Sequence, residues 1–292
     1  MKAKLDAGGR TGHLEVAEPR RLRIVHLFPD LLSVYGDSAN VRALVVRAER
    51  RAIAVSVEHV LRDTAVVPEA DVFVIGGGED RNQLGVERAL VNLDDAIIRR
   101  LDEGASLLAV CGGYQNLGQW YRFANGRTVH GPGIFAANTR AGETRLVGRV
   151  VAHLGPTVIS ERRTVVGFEN HSGRTELDAS ASAFATIEIG HGNNGHDGGE
   201  GILAIAERRT GVLIGTYLHG PLLPLNPHIA DALLRAGLAR TGQPTELAPL
   251  EDNEEWRAHD NFLSLARDQS WSDHLPARLR GLAQRAQSLI GF

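Results

Sequence analysis

The chain has 292 residues, is 43% hydrophobic and 23% charged, and carries a formal net charge of −3. That composition is ordinary for a water-soluble folded protein, and the slightly acidic balance argues against a general nucleic-acid surface. No apolar run approaches the roughly 20 residues that span a bilayer, and a single cysteine, Cys111, fits a cytoplasmic location without an intramolecular disulfide.

Residues 1–21 are polar and without periodicity, which predicts a disordered leader. They lack the apolar core of a signal peptide. Residues 23–28 are short, apolar and β-branched, as a first strand should be. A loop follows through Pro29, Tyr35 and Gly36, and Asp37 or Ser38 is placed to cap a helix over 40–51. Residues 54–60 predict a second strand, with His59 a structural residue on it. Residues 70–75 predict a third, which runs into Gly76-Gly77-Gly78-Glu79-Asp80. Three glycines after a strand let the backbone approach a ligand and turn N–H groups toward an anion. Alone, the pattern is equally that of a plain βα turn. Neither a Walker loop nor a good dinucleotide fingerprint is present. A helix over 86–103 comes next, with Leu90, Leu93, Ile97, Ile98 and Leu101 on one face and Gly104 as its stop.

The stretch from Ser106 to Gly118 carries the chemistry. Leu107 to Val110 reads as a buried strand, Cys111 follows it, and Gly112-Gly113 opens a helix. A nucleophile on a tight strand-to-helix turn needs small neighbours, and the helix N-terminus favours the thiolate. A lone cysteine is more often a buried core thiol; the combination of strand, elbow and double glycine favours a functional one. The alternation of strands and helices predicts an α/β protein with a mostly parallel sheet and helices on both faces. Ligands then sit at the carboxyl ends of the strands, where Gly76–Gly78 and Cys111 both fall.

From 128 to 210 the pattern shifts to shorter strands, predicted over 147–153, 164–169 and 201–207. The glycine- and asparagine-rich run 191–199 holds His191, His196 and Asp197, but reads better as a flexible loop than as a metal site, because no strand or helix fixes the ligands. Residues 211–218 form a buried-type strand ending at His219-Gly220-Pro221. A histidine there is a candidate base for the thiol, since catalytic Cys and His are commonly far apart in sequence. An amphipathic helix is expected over 227–240, an acidic linker over 243–255, and further helix over 254–292, docked on the domain or on a partner.

Four stretches together resemble one family: Ile75-Gly76-Gly77-Gly78; Ala109-Val110-Cys111-Gly112-Gly113-Tyr114-Gln115; Gly167-Phe168-Glu169-Asn170-His171-Ser172-Gly173-Arg174-Thr175; and Gly215-Thr216-Tyr217-Leu218-His219-Gly220-Pro221. They resemble the class I glutamine amidotransferases of the CobB/CobQ type, with the likeness nearest to the glutaminase subunits of lipid II isoglutaminyl synthase. The resemblance covers 22–240 and leaves 241–292 as a C-terminal helical extension. It implies a flavodoxin-like fold. It implies that Cys111 attacks the side-chain amide of L-glutamine, that backbone N–H groups at Gly78 and Gly112 hold the oxyanion, and that His219 is the base. It maps the substrate-binding arginine onto Arg145, and the 169–171 stretch onto the pocket lining. No metal belongs to this chain; ATP and Mg are expected on a MurT-like Mur ligase partner in a heterodimer, which amidates lipid II during peptidoglycan synthesis.

Many class I members carry an acid two residues after the histidine. Here Gly220 and Pro221 follow His219. The sequence therefore predicts a Cys–His dyad, weakly active until a partner supplies an acid or orders the loop. Three other readings compete. An amidotransferase of cobyric-acid-type cofactor synthesis would usually carry an ATP-binding domain in front, where this sequence has only residues 1–21. An unrelated Cys–His hydrolase of similar fold would not need Arg145 or the Tyr-Leu-His-Gly-Pro run. A non-catalytic binding module would not need both Cys111 and His219.

Overall fold

Strands β3 (Val72–Ile75) and β4 (Ser106–Val110) form the centre of the molecule. Every residue in both is buried, the pattern of parallel strands covered on both faces. The computed structural model describes residues 19–32, 36–78, 80–156, 160–205 and 211–273. Strands β1 (Arg21–Leu27) and β2 (Ala54–Val60) extend the sheet on one side, and β12 (Val212–Thr216) and β11 (Ile202–Ile205) on the other, in the order β11-β12-β4-β3-β1-β2. All neighbours are parallel except β11 with β12. The expected mostly parallel α/β sheet is present.

Helix α1 (Ser38–Glu49) joins β1 to β2, while α2 (Asp80–Leu90) and α3 (Asp94–Asp102) join β3 to β4. These two crossovers run in opposite directions along the sheet. Right-handed connection therefore puts α1 on one face and α2 and α3 on the other. Helix α6 (Pro227–Arg240) packs against α1, β1, β3 and β4. The reversal between β1 and β3 opens a crevice at the carboxyl ends of the strands.

Several elements depart from the sequence reading. The helix expected over 86–103 is two helices. Leu93 is buried at the joint, and Asp94 and Asp95 open the second with acids that suit a helix N-terminus. A second sheet was also unexpected: β5 (Trp120–Arg122), β6 (Thr128–His130), β7 (Ala137–Leu154), β8 (Thr164–Leu177), β9 (Ala185–Ile189) and β10 (Gly199–Glu200), in the order β10-β9-β7-β5-β6 with β8 paired to β7. The strands expected at 147–153 and 164–169 are ends of an 18-residue and a 14-residue strand. Their remaining residues are polar and are held by cross-strand pairs rather than by an apolar run. Thr139 Oγ1 meets Thr175 Oγ1 at 2.7 Å, and Arg140 pairs with Glu176.

The acidic stretch after α6 is not a loose linker. Arg47 of α1 bonds Asp252 there as well as Asp231 of α6, and Arg51 bonds Asp231. Helix α7 (Asn253–Asp273) then docks on β7, β8, β9 and the short α5 (Leu222–Leu225). Of the two docking surfaces open for this extension, α7 takes the domain. Of the expected leader over 1–21, Arg21 already belongs to β1, while residues 1–18 and the helical pattern beyond 273 lie outside the described residues. Among the described residues no helix is long and apolar enough to cross a membrane.

Candidate active site

Cys111 sits where β4 ends and the short helix α4 (Gly112–Asn116) begins, with φ 49° and ψ −106°. That is a strained backbone for a residue with a Cβ, and its neighbours over-determine it. The Cys111 N–H donates to the Thr216 carbonyl at 2.8 Å, and the Gly113 N–H to the Gly76 carbonyl at 3.1 Å. The elbow is thus pinned between the ends of β12 and β3. A Cβ on Gly113 would lie 2.9 Å from the Gly76 oxygen and from Ile75, so the second glycine is required by this close approach.

His219 is held from the second sheet. Its backbone exchanges hydrogen bonds with Phe168 of β8, at 2.8 and 3.0 Å. Its buried imidazole interacts with the Cys111 side chain, and its Nδ1 lies 3.4 Å from Oδ1 of Asp37. Oδ2 of Asp37 accepts the Gly77 N–H at 2.7 Å. A Cβ on Gly77 would stand 2.7 Å from His219 Cε1, 3.0 Å from Cys111 Cβ and 3.4 Å from Asp37 Oδ2. The space a Gly77 side chain would fill is thus bounded by all three side chains.

The expectation that no carboxylate of this chain reaches the imidazole is corrected by Asp37, 182 residues away in sequence. Asp37 does precede α1, but its side chain caps no helix amide; it is turned into the crevice instead. Burial works against a charged His219. The negative charge of Cys111 and the hydrogen bond to Asp37 outweigh it, and its pKa is pushed up to about 10. The site therefore favours the imidazolium form of His219, held between the Cys111 sulfur and the Asp37 carboxylate.

Residues 23–227 match the family model of the CobB/CobQ-like glutamine amidotransferase domain. The chain belongs to that family. Two similar proteins are the GatD subunits of lipid II isoglutaminyl synthase (glutamine-hydrolyzing). The one from Staphylococcus aureus is 36% identical over 252 residues, 86% of this chain and 98% of its own. The one from Streptococcus pneumoniae is 32% identical over 80% of this chain and 87% of its own. Cobyric acid synthase of Limosilactobacillus reuteri is 28% identical over 62% of this chain, but over only 34% of its own length. The protein is a glutamine amidotransferase.

The remaining expected residues of the amidotransferase fall at different distances from this centre. Gly78 follows Gly77 in the same loop, and a Cβ there would strike Leu32 Cδ2 at 2.6 Å. Gly112 opens α4 beside Cys111. Arg145 lies where β7 bulges away from β8, between Ala141 and Leu146. Its guanidinium donates to Asn170, to Oδ1 at 2.8 and 3.0 Å and to the carbonyl at 2.9 Å. Asn170 is two residues along β8 from Phe168, the backbone partner of His219. Arg145 is exposed, and these neutral partners do not neutralise its charge.

The loop over 191–199 is ordered rather than flexible. Glu169 accepts the His191 Nδ1–H at 2.6 Å, the His191 N–H at 2.9 Å and the Gly192 N–H at 3.0 Å, and Asn193 and Asn194 are buried. Burial opposes the Glu169 charge, but the nearby His171 imidazole, 3.7 Å away, and the hydrogen bonds from His191 outweigh it and hold its pKa below the ordinary carboxylate value. Glu169 thus anchors the start of the loop, and Asp197 bonds Asn194 and Gly199. Among the described residues no three metal-ligating side chains come together. His171 stacks on Tyr217 at 3.7 Å between ring centres, and Tyr217 bonds Thr175 and Gln115. Sequence reasoning missed Asp37 and the role of the Phe168 backbone. The only signal for Asp37 was an acid in the loop after the first strand, which the switch of direction brings to the crevice.

Proposed function

We propose that this chain is the glutaminase subunit of a lipid II isoglutaminyl synthase and that Cys111, His219 and Asp37 carry the hydrolysis. The Cys111 thiolate attacks the side-chain carbonyl carbon of L-glutamine and forms a C–S bond. As the C–N bond breaks, the His219 imidazolium gives its proton to the leaving nitrogen, which departs as ammonia. Water then attacks the thioester, His219 takes its proton, and glutamate and the thiolate are released. Asp37 fixes the imidazole tautomer with the proton on Nδ1 and balances its charge. The Gly77 N–H is committed to Asp37, so the oxyanion falls to the backbone N–H groups of Gly78 and Gly112. Arg145 grips the α-carboxylate of glutamine, a task suited to a bidentate guanidinium.

Ammonia passes to a MurT-like Mur ligase subunit in a heterodimer. That subunit holds ATP and Mg and amidates the D-glutamate α-carboxyl of lipid II to D-isoglutamine. The observation that carries this reading is the match to the S. aureus subunit over 98% of its length, set against about a third of the cobyric acid synthase. Co-expression with a Mur-ligase-like protein tests it. The wild-type complex should amidate lipid II with glutamine or with ammonia, and the Cys111→Ala complex with ammonia alone. Glutamine-dependent amidation by that variant would refute the role of Cys111; amidation of a corrin carboxylate but not of lipid II would favour the cofactor reading.

A further inference from the structure

Glu200 belongs to β10 in the second sheet but reaches the end of β12 in the first. It is completely buried. Its Oε1 accepts the Thr216 hydroxyl at 2.7 Å and the Tyr217 N–H at 2.9 Å. The same hydroxyl oxygen accepts the Leu218 N–H at 3.0 Å, while the Thr216 carbonyl accepts the Cys111 N–H at 2.8 Å. One carboxylate oxygen therefore organises the turn that leads to His219, through a residue that also holds the nucleophile. Its other oxygen, Oε2, is buried with no hydrogen-bond partner among the described residues. An acceptor left empty away from water is costly. The fold alone does not demand it, because a glutamine would offer the same oxygen to Thr216 and Tyr217.

We propose that Glu200 is a positioning residue of the glutaminase site: it sets the 216–218 turn between Cys111 and His219, and its negative charge favours the imidazolium of His219. This rests on the reading of Cys111 and His219 as the hydrolytic pair. The ionisable groups that act on Glu200 are His219 after β12, Glu169 on β8 and the buried phenol of Tyr114 on α4. Burial pushes Glu200 up to about 7; Glu169 acts in the same direction, and the bonds from Thr216 and Tyr217 and the charge of His219 act against it. Its charge is thus gained across the neutral range as pH rises.

Glu200→Gln keeps the shape and the acceptor and removes the charge. Glutamine hydrolysis and alkylation of Cys111 by iodoacetamide should be followed against pH on the full chain, with thermal unfolding in parallel. Wild type should show an inflection near 7 in kcat/KM that Glu200→Gln lacks. Above it, the variant should lose about tenfold in kcat with little change in KM, the effect of a slightly displaced catalytic group. Thr216→Val should lower kcat in the same way, and the double variant should be no worse than either alone. An unchanged pH profile and kcat in Glu200→Gln would overturn the proposal. Should that variant not fold, an unchanged kcat in Thr216→Val would overturn it equally. Cys111→Ala keeps the two questions apart: glutamine hydrolysis surviving in it would defeat the underlying reading, whatever Glu200 does.

Discussion

Asp37→Asn isolates the acid without removing atoms. An asparagine oxygen can still accept the Gly77 N–H, but its NH2 then faces Nδ1 of His219 and turns that nitrogen into an acceptor. The proton moves to Nε2, and the imidazole can no longer take one from the thiol. Hydrolysis of glutamine should fall by about 10²-fold or more, with an unfolding temperature close to wild type. Gly77→Ala should also abolish hydrolysis, because its methyl would stand 2.7 Å from His219 Cε1; activity near wild type would show that the three side chains converge less tightly. At this scale the sequence was legible wherever the chemistry is written locally. A strand, a cysteine and two glycines are contiguous, and so is the strand that ends at His219. Asp37 was not legible because it reaches His219 only through the parallel packing of β1 beside β3, and its place before a helix suggested a cap instead.

Among the elements, α1 links the site to the tail. Its N-terminal end carries Asp37, and further along it Arg47 pairs with Asp231 of α6 and Asp252 before α7. Arg47 is buried. Burial lowers its pKa, but the bonds to the two aspartates outweigh this and leave it raised. Arg47→Ala would take from Asp252 its arginine and leave Asp231 with Arg51 alone, and should cost roughly 3–5 kcal/mol in urea unfolding. A loss below about 1 kcal/mol would mean that the pairs behave as surface ones. Helix α1 and strands β1 to β4 were readable from apolar periodicity. The long β7 and β8 were not, since half of each is polar and owes its strand form to a partner far along the chain. The Gly- and Asn-rich run after β9 looked flexible because its order comes from a single buried carboxylate, Glu169, outside it.

For the molecule as a whole, buried histidines set the response to acid. Burial first, and the neighbouring His59, lower His26 to about 4; burial first, and His259, lower His228 to about 3. Both are neutral in the folded state where the unfolded chain, near 6.5, is already protonated. The unfolded state then binds more protons, so stability falls as pH drops from about 6.5 toward 4. His219 has the opposite sign: raised to about 10, it contributes stability fully below about 6.5 and loses it as pH rises through 10. The unfolding temperature should therefore peak near neutrality, and His228→Phe should flatten its acid side. An acid limb unchanged in that variant would show that His228 already titrates normally in the folded state. The sequence predicted one parallel sheet covered by helices, and that sheet is present. The second sheet escaped notice although it supplies Phe168 to hold His219 and Glu200 to brace the turn before it, because its strands reveal their register only in the folded pair.

Glutamate release by the purified chain, with no partner present, tests the triad most directly. Since Cys111, His219 and Asp37 all come from this chain, it should hydrolyse glutamine alone; Cys111→Ala should release none, and Asp37→Asn should be slowed by about 10²-fold or more. Hydrolysis by Cys111→Ala, or rates equal in Asp37→Asn and wild type, would contradict it.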